Sequence, residues 1–138
     1  GQFIYPATID IDPAGNVYVV DVINARVQKF DAAGTHLLTI GKRGGKAGTF
    51  YRPKGVAVDD AGNIYVSDSF LGVVQVFSPD GEFAYVIGED GTATVYDTPV
   101  GLATSGSRLY VTQMLAGKVA VLEPQPPPPP AAEEEAAE

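Results

Sequence analysis

Short apolar runs, punctuated by Gly, Asp and Asn, dominate this chain. None keeps the period of about 3.6 residues that marks an amphipathic helix. Between residues 48 and 94 the runs come as a group of four. Gly55-Val56-Ala57-Val58-Asp59 reads as a short apolar strand, and Asp60-Ala61-Gly62 as a turn in which Gly62 can take a positive φ. Asn63 to Asp68 is a second strand, rich in residues that suit a pleated, half-buried surface. A loop from Ser69 to Gly72 leads to a third strand, Val73 to Phe77. Ser78-Pro79-Asp80-Gly81 is a tight hairpin turn before a fourth strand, Phe83 to Ile87, closed by Gly88. Four short antiparallel strands joined by tight turns make a meander sheet.

The group is repeated. Pro6, Asp12, Gly15, Asn16, Tyr18, Asp21, Val27, Gln28, Phe30, Gly34, Ile40 and Gly41 recur 47 residues later, as Pro53, Asp59 and so on to Gly88. A weaker third copy carries Pro99, Gly101, Tyr110, Val111, Val119 and Leu122, with strands expected near 100–104, 108–112 and 118–122 and no fourth strand. A four-stranded sheet that is apolar on both faces must stack on copies of itself, and blades of this length arranged around an axis make a β-propeller. A generic sandwich is the alternative, but it has no need of near-identical modules. The expected organisation is a blade over 1–47, a second over 48–94, an incomplete third over 95–123 and a Pro-rich acidic tail over 124–138. Pro124-Gln125 and Pro126 to Pro130 should form a polyproline II rod, and Ala131 to Glu138 is helix-prone but too short for an isolated helix, so the tail is expected to be stiff and disordered. A ligand for an SH3- or WW-type groove is the sharper reading of the tail, but no Arg or Lys flanks the prolines to support it.

The stretch from Pro53 through Gly55-Val56-Ala57-Val58-Asp59, Gly62-Asn63-Ile64-Tyr65-Val66 and Asp68 resembles the NHL repeat signature. So does Pro6 to Asp21, followed by Asn24-Ala25-Arg26-Val27-Gln28-Lys29-Phe30-Asp31. WD40 blades would call for Gly-His and Trp-Asp pairs, and this chain has no Trp and one His. The resemblance spans residues 1–122. It implies an all-β, usually six-bladed propeller, and no single activity, since similar proteins include RNA-binding, partner-binding and sensor domains and a few lyases. Three repeats are half of such a ring. The chain is therefore expected to be the C-terminal half of a longer propeller, closed by upstream blades of the same protein or, alternatively, by a second copy. The regularity of the repeats resembles bacterial extracytoplasmic propellers, which implies a periplasmic or extracellular setting. Departures from the signature are visible. Leu71 and Val73 replace the Asn-x-Arg of the first repeat, and Ser105 and Gln113 stand where Asp59 and Asp68 would.

Charge changes the picture only after it is divided. The formal net charge is −8, but five of the seventeen acids lie in the last sixteen residues. Residues 26–54 run the other way, with Arg26, Lys29, Lys42, Arg43, Lys46, Arg52 and Lys54 against Asp31 alone. Nothing reaches the strongly basic balance of a dedicated nucleic-acid domain, so nucleic acid is not the expected partner. No apolar run approaches the length of a membrane span. The absence of cysteine excludes disulfides and thiolate metal sites.

Candidate chemistry is thin. Asp12, Asp59, Asp21 and Asp68 either form a repeated carboxylate set for a hard cation such as Ca²⁺ or cap their own turns. Their repetition with the blade favours the caps. His36 falls at the start of an outer strand, far from the axis where a metal or acid–base role would need it. Gly41-Lys42-Arg43-Gly44-Gly45-Lys46 lacks the spacing and the final Ser or Thr of a P-loop and reads as an inter-blade loop. No catalytic residue, metal ligand or cofactor is assigned. The remaining feature is position. Residues just before each innermost strand should line one mouth of the central channel: Ile4, Tyr5 and Ala7, then Tyr51, Arg52 and Lys54, then Asp97, Thr98 and Val100. Tyr5, Tyr51, Arg52 and Lys54, with Lys42, Arg43 and Lys46 leading in, form the candidate ligand-binding set. The expected function is a non-catalytic module presenting propeller loops to a protein or cell-surface polymer. The alternatives are a propeller lyase or lactonase with its metal site in upstream blades, and an RNA-binding propeller.

Overall fold

A computed structural model of the protein describes residues 2–89 and 92–127. Among these described residues the regular elements are all strands. β1 (Pro6–Ile11), β2 (Val17–Asp21), β3 (Arg26–Phe30) and β4 (His36–Ile40) form one antiparallel meander. β5 (Pro53–Val58), β6 (Ile64–Asp68), β7 (Val73–Phe77) and β8 (Phe83–Val86) form a second. A two-stranded ribbon follows, β9 (Gly88–Glu89) and β10 (Thr92–Ala93). β11 (Pro99–Ser105), β12 (Arg108–Gln113) and β13 (Lys118–Leu122) complete a three-stranded sheet. The chain is thus a β-propeller segment with three blades. The expected tail begins with Pro124–Pro127, which lie beside β8, and residues 128–138 fall outside the described residues. Among the described residues no helix is long and apolar enough to cross a membrane.

The first strand of each blade is the innermost, and β5 packs between β1 and β11. Each begins at a proline, where a missing N–H does least harm to the ladder. Each also slips register just after it: Pro6↔Asp21 is followed by Ile9↔Val19, Pro53↔Asp68 by Gly55↔Ser67, and Pro99↔Gln113 by Leu102↔Val111. Side-chain bonds stitch neighbouring blades together. Thr8 Oγ1 donates to the Lys54 carbonyl (2.7 Å), and the Asp10 carboxylate accepts the Val58 N–H (2.8 Å). Ser67 Oγ donates to the Val100 carbonyl (2.7 Å), and Thr104 Oγ1 to that of Val58 (2.9 Å).

The core consists of two apolar layers between blades. Tyr18, Val20, Val27 and Ile40 of the first sheet meet Val56, Val58, Ile64, Val66 and Phe77 of the second. Tyr65, Val74, Val76 and Ile87 meet Leu109 and Val111 of the third. This layering follows from strand alternation: one side of the middle blade buries Ile64 and Val66 and the other buries Tyr65.

Candidate functional site

Antiparallel pairing puts the segments before β1, β5 and β11 at the same end as the β2–β3, β6–β7 and β12–β13 loops. Backbone bonds join them there. Ile23 N–H donates to the Ile4 carbonyl (3.2 Å), Ser69 N–H to that of Arg52 (3.0 Å) and Met114 N–H to that of Thr98 (3.1 Å).

One acceptor per blade holds this end in shape. Asp68 is fully buried, and its carboxylate takes the N–H groups of Tyr51 (2.7 Å), Arg52 (3.1 Å), Phe70 (3.1 Å) and Leu71 (3.0 Å). Asp21, equally buried, accepts from Ile4 N–H (2.8 Å), Asn24 Nδ2 (2.9 Å) and Arg26 Nε (2.9 Å). Burial alone would raise the Asp21 carboxyl, but Asn24, the Ile4 N–H and the Arg26 guanidinium outweigh it and leave its pKa below the ordinary value. In the third blade Gln113 Oε1 accepts the Asp97 N–H at 3.0 Å. Ile4, Tyr51 and Asp97 are corresponding residues, so the amide of Gln113 does for its blade what a carboxylate does for the others. Where Leu71 and Val73 replace Asn24 and Arg26, Asp68 turns to backbone donors instead.

At the opposite end the repeated Asp12 and Asp59 cap turns. Asp12 accepts from the Asn16 N–H (2.9 Å), Asn16 Nδ2 (3.0 Å) and Tyr18 Oη (2.9 Å). Asp59 makes the same three bonds with Asn63 and Tyr65. Burial first, then the adjacent carboxylate, pushes the Tyr18 and Tyr65 phenols far above their ordinary values, so both act as fixed donors. His36 is exposed, and its ring meets Phe30 edge-on at 5.5 Å.

The mouth residues meet in part. Lys54 Nζ lies over the Tyr5 ring, 5.8 Å from its centroid. Tyr5 itself holds a positive φ of 64° and is mostly exposed. Arg52 and Lys54 line a cleft of about 360 Å³ together with Ser69, Phe70, Thr98, Val100 and Met114. Tyr51 stands beside it, stacked on Phe70 at 4.1 Å between centroids. Arg43 is committed elsewhere: its guanidinium donates to the Ile23 carbonyl and ties the inter-blade loop to the first blade. Lys42 and Lys46 are exposed on that loop and do not line the cleft.

The sequence reading missed the tips of the β2–β3, β6–β7 and β12–β13 loops. Ile23, Phe70 and Leu115 occupy corresponding positions and are 52%, 62% and 73% exposed, with Met114 beside them at 63%. The signal was available, since a large apolar residue stands two places after the end of each second strand, where a turn would carry a polar one. Among the described residues, no three His, Asp or Glu side chains gather as metal ligands would.

Comparison with known proteins places this geometry. The NHL repeat family matches residues 3–30 and 50–70. No curated protein matches the chain in sequence. Among solved structures, a chain of the nidogen/laminin complex superposes with a TM-score of 0.71 at 19% identity, over 88% of this chain and 44% of that one. Hydrazine synthase of Kuenenia stuttgartiensis gives 0.63 at 21% identity, over 78% of this chain and 28% of that one. Streptogramin B lyase gives 0.62 at 15% identity, over 88% and 41%. This chain thus spans less than half the length of each. At these identities the likeness is one of fold. With two stretches matched by the NHL repeat family, blades of the same construction and propellers among its structural neighbours, the chain is a β-propeller segment that carries NHL repeats.

Proposed function

We propose that this segment is a non-catalytic binding module whose mouth-side loops engage a protein or a cell-surface polymer. The observation that carries the reading is the repeated exposure of Ile23, Phe70 and Leu115, one per blade, at an end held by the hydrogen bonds of Asp21, Asp68 and Gln113. Single exposed apolar side chains are ordinary on a protein surface. Set at regular intervals on one end of a rigid scaffold, beside Tyr5, Tyr51 and Met114, they have the makeup of an interaction surface. The polar turns of the opposite end, such as Asp31–Thr35 and Ser78–Glu82, carry no comparable set. Further blades, of the same protein or of a second copy, complete the ring in this reading.

Peptide and glycan arrays test it. Wild-type protein is compared with a triple variant, Ile23→Ser, Phe70→Ser and Leu115→Ser, and with an opposite-end control, Asp80→Lys and Glu82→Lys. The expected result is binding that the triple variant loses and the control keeps. Binding lost only in the control, or chemical conversion of a bound compound, would overturn the reading.

A further inference from the structure

We infer that the cleft between Phe70 and Met114 receives an acidic peptide segment, with a partner carboxylate on Arg52 and Lys54 and a neighbouring apolar side chain between the two hydrophobic walls. This rests on the binding-face reading and narrows it to a class of partner.

The electrostatic side of the argument is a matter of which charges are already spent. Among the described residues the ion pairs are Arg26 with Asp21 and Arg108 with Glu123, and neither involves the cleft. The carboxylates that could have neutralised it are turned inward: Asp68 is consumed by four backbone N–H groups, and Asp21 by Ile4, Asn24 and Arg26. Asp97, exposed beside Thr98, is the remaining acid on the segments that frame the cleft. Arg52 and Lys54 therefore present positive charge to solvent, with Lys42 and Lys46 on the neighbouring loop adding to the local field. A negatively charged partner is complementary to that field, and a basic one is repelled.

The walls decide which kind of anion. Phe70 and Met114 are both more than half exposed. A purely anionic polymer would leave them wet, whereas an apolar side chain of a peptide covers both. The Met thioether adapts to the shape of what it meets. One face of the Phe70 ring is already against Tyr51, which removes half of the platform a stacking base would use. A cleft of about 360 Å³ suits one or two side chains rather than a folded domain edge. β13 ends at Leu122, at the end of its sheet away from the β12–β13 loop and from this cleft.

The test is selection from a random peptide display library on the wild-type protein, followed by affinity measurement of the enriched peptides by fluorescence anisotropy. Enriched sequences should place Asp or Glu beside a large apolar residue. Their affinity should fall with rising salt. It should also fall by about tenfold or more on Arg52→Glu with Lys54→Glu, and likewise on Phe70→Ser. None of these side chains makes a buried bond, so circular dichroism of the variants should match the wild type. Peptides without acidic enrichment, lost on Phe70→Ser but indifferent to the double charge reversal, would overturn the acidic class while leaving the binding face in place. Indifference to all three substitutions would overturn both. Enrichment of no peptide, with heparin or single-stranded DNA binding instead, would overturn the inference in favour of a plain polyanion.

Discussion

At the residue scale, one acceptor per blade converts a flexible pair of segments into a fixed rim. Asp68 shows the logic in full. Four amide N–H groups point at one buried carboxylate, and none has another partner of comparable quality. Asp68→Ala should therefore cost about 3 kcal/mol in urea unfolding, because it strands several donors away from water. Asp68→Asn keeps one acceptor oxygen and should cost less. A loss below about 0.5 kcal/mol for the alanine variant would mean that water replaces the carboxylate. Asp21 and Asp12 add a pH dependence of known sign. Both have folded pKa values depressed below the unfolded value. Their stabilisation is complete above that unfolded value, about pH 4, and is lost as pH falls through the folded values. Urea midpoints should be flat from about pH 7 to 5 and drop below about pH 4, and Asp21→Asn should make the drop shallower.

At the element scale, the strands carry the repeat and glycines set how closely they approach. A Cβ on Gly55 would lie 2.0 Å from the Val100 carbonyl oxygen, a backbone atom of the next blade that cannot step aside. On Gly41, at φ 77°, it would meet the Phe50 ring at 2.1 Å. Gly55→Ala should cost about 3 kcal/mol and lower the cooperativity of unfolding between the second and third blades, while Gly45→Ala, with nothing within 4 Å, should be close to neutral. Equal effects would refute the close approach. Most of these elements were legible in the sequence because period-2 alternation, Gly-bearing turns and the 47-residue recurrence all pointed the same way. The β9–β10 ribbon was not read, although Asp90-Gly91, the dipeptide of a tight hairpin, stands between its strands in the sequence. The cleft was legible only in half. Arg52 and Lys54 stood out by charge and by their place before β5. Phe70 and Met114 belong to loops of different blades, and only the stacking of those blades brings them together.

At the scale of the whole molecule, the three blades form an arc whose two ends differ from its middle. In the second blade Val56, Val58, Ile64 and Val66 are covered by the first, and Val74 and Val76 by the third. The corresponding Ile9 and Ile11 at one end, and Val119 and Val121 at the other, are more than half exposed. The two end faces are the missing halves of the same kind of interface: a third-blade face can receive a first-blade face just as the second blade receives its neighbours. Such a head-to-tail contact closes into a ring if the rotation per blade allows it and otherwise propagates. The 138-residue chain on its own should therefore associate as its concentration rises. A variant with Ile9→Lys, Ile11→Lys, Val119→Lys and Val121→Lys should stay monomeric with an unchanged β-sheet spectrum, as read by sedimentation velocity. A discrete dimer would mean that two arcs close one ring. Open-ended species would mean that further blades of the same protein normally cover these faces, and the intact mass of the protein from its natural source would then exceed that of this chain at least twofold. A wild-type chain monomeric up to hundreds of micromolar would show that the end faces tolerate water, and the ring reading would fall with them.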